Sequence, residues 1–241
     1  MESILRTEDL SISFGGLKAV QNLSFSLRRG EILGLIGPNG SGKSTVVNLI
    51  SGIYRPDAGS IFFEEKQIPY KMSVAERART GIGRTFQTPQ PFGTLTVFEN
   101  VYTIALQSRN KQEAAAKANE ILQSTGLYDL RDIQSSKLPI EKRKWLDLSR
   151  ILANNPKLIM LDEVLGGLNP SEMEESLQLI QRINREMGMS FLFIEHVMSA
   201  VLKICSRCIV LNEGKLLAEG DPSEVLARKD VITAYIGEEM E

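Results

Sequence analysis

Histidine is nearly missing from this chain of 241 residues, which has one, His196, and cysteine is scarce, with Cys205 and Cys208 alone. A structural zinc site takes four Cys or His ligands; Cys205-Ser-Arg-Cys208 has the spacing of half such a site, and the sequence holds no second half. Both cysteines lie in the apolar stretch VLKICSRCIVL and are expected to be plain buried or half-buried thiols. An excess of one charge sign is also missing. Lys and Arg total 28 against 30 for Asp and Glu, a formal net charge of −2, which offers no support for a long electrostatic footprint on nucleic acid, so any anion is expected to be bound locally. No apolar run approaches the roughly 20 residues that a membrane-spanning helix needs. MESILRTEDL has neither the basic start nor the apolar core of an export signal, so the expected location is the cytoplasm or the periphery of a membrane.

What the chain does have is a regular alternation of strand-like and helix-like text. With 42% hydrophobic and 24% charged residues, it is long enough for one large domain with a substantial core. SILRTEDLSISF, NLSFSL, EILGLIG, GSIFFE, KLIMLDE, SFLFIEH and CIVLNEG read as strands, several of them continuous apolar runs of the kind that a sheet covered on both faces requires. The early runs lie close together, separated by turn signals at Gly15-Gly16, Arg29-Gly30 and Asp57-Ala58-Gly59, which points to an antiparallel β portion beside a mostly parallel core. From about residue 90 to about residue 155 strand signals stop, and TVFENVYTIALQ, KQEAAAKANEILQSTG and the stretch from Pro139 to Ala153 read as helices. Asn212-Glu213-Gly214 reads as a hairpin turn.

Gly37, Pro38, Asn39, Gly40, Ser41, Gly42, Lys43, Ser44 and Thr45 satisfy G-x-x-x-x-G-K-[ST] between the apolar EILGLI and the helical VVNLIS, the strand-loop-helix context that the motif requires. Glycines let successive backbone N–H groups curl toward a phosphate, and the helix adds its positive end. Lys43 then reaches the β- and γ-oxygens, and Ser44 offers a hydroxyl to Mg²⁺. LIMLDE closes on Asp162 and Glu163, where a phosphate-binding loop needs one acid for the metal and another for water. Alternation along a strand sends the two side chains in different directions, which suits different tasks. His196 follows a further apolar strand, at the C-terminal edge where open α/β sheets gather ligands, and is expected to contact a γ-phosphate.

Together these stations resemble the ATP-binding subunits of ABC transporters, along essentially the whole chain. SFGGLKAV resembles the segment whose aromatic residue, here Phe14, stacks on adenine, and GPNGSGKST resembles Walker A. GRTFQTPQPFGTLTVFENV resembles the Q-loop, with Gln87; IMLDE resembles Walker B, GGLNP the D-loop and IEHVM the switch-histidine region. The Q-loop wording and the ending GDPSEVLARKDVITAYIGE are most similar to ATPases of importers for branched-chain amino acids and their amide or urea relatives. The resemblance implies an α/β fold with a P-loop NTPase core in a single domain. Its RecA-like core with the antiparallel portion would cover about residues 1–88 and 155–241, and an inserted helical lobe about residues 89–154.

ATP and Mg²⁺ are the implied cofactors, with Lys43 on the phosphates, Ser44, Gln87 and Asp162 around the metal, Glu163 as general base and His196 as γ-phosphate sensor. The implied partners are a second ATPase subunit in a head-to-tail dimer, transmembrane permease subunits met near Gln87 and, indirectly, a solute-binding protein, with no nucleic acid, at the inner face of the cell membrane. Import of a small polar solute is the expected function. Export of a lipid or lipopolysaccharide is one alternative; a soluble ATPase of DNA repair or translation is another, although the chain has neither long coiled-coil inserts nor a tandem cassette.

Members of this family carry a signature motif, LSGGQ or a near variant, with which each subunit clasps the nucleotide held by its partner. LPIEKRKWLDLSRIL occupies that place here; Leu138 matches the leading leucine and Arg150 a later arginine, but Pro139 stands where serine is usual and Glu141 where the second glycine is. Proline at the first helical position, with glutamate two residues on, is sound helix-start chemistry. As a phosphate clamp it is poor: Pro139 has neither hydroxyl nor N–H, and a lost charged hydrogen bond costs about 1.5 to 3 kcal/mol. A carboxylate roughly 6 Å from a phosphate charge, at an effective dielectric of about 20, adds on the order of 3 kcal/mol of repulsion. Lys142, Arg143 and Lys144 are expected to form a solvated basic face. The expected assembly is a heterodimer with an ATPase subunit of ordinary signature, a homodimer being the alternative.

Overall fold

A computed structural model of the chain describes residues 2–86 and 88–236. In chain order its first elements are β1 (Ser3–Phe14), β2 (Leu17–Arg28), β3 (Ile32–Ile36), α1 (Lys43–Ser51), β4 (Ala58–Phe63), β5 (Lys66–Gln67), α2 (Val74–Thr80) and β6 (Ile82–Arg84). Three helices follow, α3 (Val97–Ala105), α4 (Lys111–Ser124) and α5 (Ile140–Ala153). The remainder is β7 (Leu158–Asp162), α6 (Pro170–Met187), β8 (Ser190–Ile194), α7 (Met198–Ile204), β9 (Arg207–Asn212), β10 (Lys215–Gly220), α8 (Pro222–Leu226) and α9 (Lys229–Ile236). One sheet is antiparallel, in the order β2-β1-β4-β5, and the other runs β10-β9-β3-β8-β7-β6, parallel at every pairing except the β9–β10 hairpin.

Strands β3, β7, β8 and β9 are buried on both faces, and their side chains alternate strictly between two cores. Ile32, Ile159, Leu161, Phe191, Phe193, Cys208 and Val210 face the core shared with α3 to α7. Leu33, Leu35, Leu158, Met160, Leu192, Ile194, Ile209 and Leu211 face the core shared with α1 and the antiparallel sheet. This is why those strands read as unbroken apolar runs: a period-two pattern with both phases covered has no polar half. Both cysteines are free and buried against the middle of β3; a Cβ at Gly34 would lie 3.1 Å from Cys208 Cβ and 3.3 Å from Cys205 Sγ.

Helices α3, α4 and α5 pack on one another. Thr96 and Asn110 start α3 and α4 with capping boxes, each side chain accepting the N–H of a glutamate three residues on while that glutamate accepts the cap's own N–H. Parallel pairing of β3 with β8 and of β8 with β7 brings Ile36, Asp162 and Ile194 to one edge of the sheet. The loops that leave that edge carry the residues of chemical interest.

Candidate functional site

Residues 37–45 leave β3 and wrap the start of α1 in the conformation that the glycines dictate. Gly37 has φ +151° and Gly42 φ +105°. A Cβ at Gly37 would sit 2.3 Å from Leu211 O and 2.6 Å from Ser41 Oγ, and one at Gly42 would sit 2.6 Å from Ala19 O, so neither position admits a side chain. α1 begins with no side-chain cap, leaving its first N–H groups facing the loop. Ser41 Oγ is buried without a hydrogen-bond partner among the described residues. A buried orphan hydroxyl beside uncapped N–H groups is donor chemistry that fits a bound anion.

Lys43 is folded onto this loop, its Nζ donating to Gly37 O at 2.7 Å and Pro38 O at 2.9 Å. Burial lowers its pKa from the ordinary lysine value, while the carboxylates of Glu163 and Asp162 act in the opposite direction. Those attractions place both acids within electrostatic reach of the ammonium. A cavity of about 770 Å³ opens here, lined by Asn39, Gly40, Ser41, Gly42, Lys43, Ser44 and Thr45, with Phe14 and Glu163 also on its wall. That volume lies within the roughly 300–1,000 Å³ usual for small-molecule sites. Phe14 ends β1 with 44% of its surface exposed, its ring edge-on to Tyr54 at 5.1 Å, rather than packing into the β core.

Asp162 and Glu163 diverge, but not by strand alternation: β7 ends at Asp162, and Glu163 has already turned out of the strand. Asp162 is buried, and its Oδ2 accepts from an Arg84 N–H at 2.9 Å. Arg84 ends β6 and also donates to Asn48 Oδ1 at 2.6 Å, linking the Asp162 carboxylate to α1. Sequence reasoning passed over Arg84; its position depends on parallel pairing of a three-residue strand with β7, where it stands opposite Met160. Glu163 adopts a left-handed backbone, φ +50°, and its N–H donates to Ile194 O at 3.0 Å. A serine hydroxyl and a carboxylate oxygen are hard donors of the kind Mg²⁺ takes, so Ser44 and Asp162 fit that ion. His196 follows β8 at the same sheet edge with its side chain 57% exposed, and its Nδ1 is 3.9 Å from Glu195 Oε2; it is not among the residues that line the cavity. Gln87 lies outside the described residues.

The start of α5 differs from its expected chemistry in three ways. Pro139 is the N-cap and not the first helical residue, and it provides no side-chain cap. The Glu141 carboxylate does not face outward: it is 7% exposed and accepts from the Trp145 indole N–H at 3.0 Å, with Lys142 Nζ at 3.1 Å. The reason is helical reach, because a side chain at position i meets one at i+4. Nor do the three basic residues form a solvated face. Arg143 donates to Leu138 O and Ser136 O, and Lys144 is buried, with its Nζ donating to Val164 O at 2.9 Å and to Gly166 O. Ile140, where the family has its first signature glycine, is 50% exposed.

Residues 20–166 match the family described as ABC transporter. Over 253 residues the chain is 36% identical to the high-affinity branched-chain amino acid transport ATP-binding protein LivG of Salmonella typhimurium, covering 98% of this chain and 99% of that protein. The lipopolysaccharide export system ATP-binding protein LptB of Escherichia coli is 33% identical, with 98% of both chains covered. Among solved structures, the ADP conformation of an ATP-binding cassette of an ABC transporter superposes with a TM-score of 0.89 at 34% identity, covering 99% of this chain and 100% of that one.

Proposed function

The chain belongs to the ABC transporter family as an ATP-binding, ATP-hydrolysing subunit, and from that premise we propose that it powers import of branched-chain amino acids or a similar small polar solute. The observation that carries the catalytic half of this reading is the common cavity of residues 39–45 and Glu163 around Lys43. Backbone N–H groups of the loop and the Lys43 ammonium hold the β- and γ-phosphates, while Phe14 offers its exposed face to the base. Ser44, Asp162 and Gln87 would hold Mg²⁺, which when bound supplies charge neutralisation on the phosphate oxygens. Glu163 takes a proton from the attacking water, and His196 hydrogen-bonds the γ-phosphate once the site closes. Arg84 pairs with the Asp162 carboxylate.

The assembly follows from the start of α5. We place this subunit in a dimer with a second ATPase subunit, on the inner face of the membrane beside permease subunits, with a solute-binding protein acting through them. A partner of ordinary signature is favoured because Pro139 brings no hydroxyl and Ile140 presents a bulky side chain where glycine backbone is usual. With Glu141 turned back to Trp145, its charge weakens the clamp less than an outward carboxylate would. We also assign residues 89–154 to a helical lobe inserted in the core. Between α2, β6, α3 and α5 lies a second cavity of about 520 Å³, with Phe86 and Ile53 at its exposed side, and this groove suits a permease helix.

The import reading rests on the near-full-length relatives named for branched-chain amino acid transport, in bacteria and in archaea. It is tested by reconstituting the chain with its partner subunits in vesicles and measuring ATP-driven uptake of labelled leucine. Uptake that requires the solute-binding protein is the expected result; release of lipopolysaccharide from the vesicle with no leucine uptake would transfer the chain to export.

A further inference from the structure

The loop that follows Glu163 is held from two sides by buried charged side chains, neither of which lines the nucleotide cavity. From α5, the Lys144 ammonium donates to Val164 O at 2.9 Å and to Gly166 O. From the end of β8, Glu195 Oε1 accepts the Leu165 N–H at 2.9 Å. Lys144 is 8% exposed and Glu195 0%, so both were moved out of water to make these bonds. Burial lowers the Lys144 pKa from its ordinary value and pushes the Glu195 carboxyl up to about 7, and the attraction between the two opposes each shift. Glu172 on α6 also faces Lys144, and Glu163 itself bears on Glu195.

The residue between these anchors and β7 is Glu163, at φ +50°. A side chain other than glycine keeps a left-handed backbone only where its surroundings over-determine it. Here the bond from Glu163 N–H to Ile194 O fixes one side of the residue, and the bonds at Val164, Leu165 and Gly166 fix the other. A peptide with both carbonyl and N–H neighbours engaged cannot rotate without breaking at least one bond to a desolvated charge.

We propose that Lys144 and Glu195 are positioning residues for Glu163, forming a buried clip that sets the backbone from which its carboxylate enters the nucleotide cavity. The proposal rests on the ATPase reading of that cavity. It also goes beyond it, because Lys144 belongs to the helix that starts at Pro139. Any shift of α5 relative to β7 changes the length of the bonds to Val164 and Gly166, so the position of the clasping helix is read out as the aim of this chain's own carboxylate. Glu195 extends the same connection to His196, its chain neighbour, whose Nδ1 lies 3.9 Å from the other carboxylate oxygen. The His196 backbone N–H also bears on the Glu195 carboxyl, opposing the effect of burial, so the two neighbours are tied through main chain as well as side chain.

The test uses the complete transporter in lipid nanodiscs, with ATP turnover and binding of a fluorescent ATP analogue measured on each variant. Lys144→Met keeps the length and apolar stem of the side chain and removes the donor; kcat is expected to fall about tenfold while KM and analogue affinity stay within about twofold. Lys144→Arg restores donors and charge and is expected to recover most of kcat. Glu195→Gln keeps an acceptor for Leu165 N–H and removes the charge, so a smaller fall in kcat, again at constant KM, is expected. A role in stability alone would lower the melting temperature and analogue affinity together with kcat, and Lys144→Arg would not rescue; that pattern overturns the proposal. So does a wild-type kcat in Lys144→Met, or in Glu195→Gln should the lysine variant not fold. These outcomes leave the ATPase reading standing, because the wild-type transporter turns over in the same assay. A wild-type transporter that neither binds the analogue nor turns over removes the ATPase reading and the proposal with it.

Discussion

Asp162 and Glu163 are consecutive, yet one is buried under Arg84 and the other stands on the cavity wall. Substituting Glu163→Gln keeps the shape and loses the base, so hydrolysis is expected to fall by about 10²- to 10⁴-fold while ATP binding survives. Retention of ATP on the gel-filtered variant complex, together with a phosphate-release assay, checks both halves. Arg84 gives a different kind of expectation. Arg84→Met leaves Asp162 as a buried carboxylate without its cation, and breaking a buried pair from one side costs about 3 to 5 kcal/mol. The variant should therefore melt at a lower temperature, and Mg²⁺ with ADP should raise its melting temperature by more than it raises that of the wild type, since a bound cation replaces the missing one. Equal shifts in the two proteins would separate Asp162 from the metal.

At the scale of elements, legibility in the sequence followed length and environment. β3, β7, β8 and β9 announced themselves because both faces are covered, and α4 because EAAAKA is strong helix-forming text. β5 and β6 have two and three residues and carry no period to read. Arg84 was missed with β6, since only parallel pairing with β7 delivers it to Asp162. Lys144 was misread for another reason: within Lys142-Arg143-Lys144 it looks like one of three solvated charges. Its helical phase, three after Glu141 and four before Leu148, puts it on a buried face. Charged triplets in helices need that phase counted before they are assigned to solvent. α6 offers a simpler check on element energetics. Asn169 Oδ1 accepts the Glu172 N–H at 3.0 Å and Glu172 Oε2 accepts the Asn169 N–H at 2.9 Å. Asn169→Ala should cost about 1 kcal/mol of stability, read from the midpoint of urea unfolding.

For the whole molecule, the decisive quantity is which subunit completes which site. In the proposed dimer this chain would supply its own phosphate loop and Glu163, whereas the start of α5 would offer a partner's nucleotide neither a serine nor adjacent glycines. Turnover of the chain alone is expected to be slow, and mixing with a partner of ordinary signature should raise it by at least about tenfold, the equivalent of roughly 1.4 kcal/mol at the barrier. The triple variant Pro139→Ser, Ile140→Gly, Glu141→Gly should raise the activity of the chain alone and gain less from mixing. Brisk turnover by the unmixed wild type would show that backbone geometry at residues 139–141 is enough.

The strand that feeds the phosphate loop lies in the middle of its sheet, between β9 and β8. Those neighbours are residues 207–212 and 190–194, so they are synthesised long after β3. Gly37 rests against Leu211, and the Gly214 N–H donates to Ser41 O, which means that the floor of the hollow is laid only when the C-terminal hairpin arrives. On the ribosome the growing polypeptide therefore carries β3 with one face against α1 and the antiparallel sheet but both edges unpaired until residues 190–212 have emerged, and the nucleotide hollow stays unfinished over that interval. With the edges of β3 unpaired, a nascent chain stalled before residue 190 should emerge bound to a chaperone and blind to nucleotide.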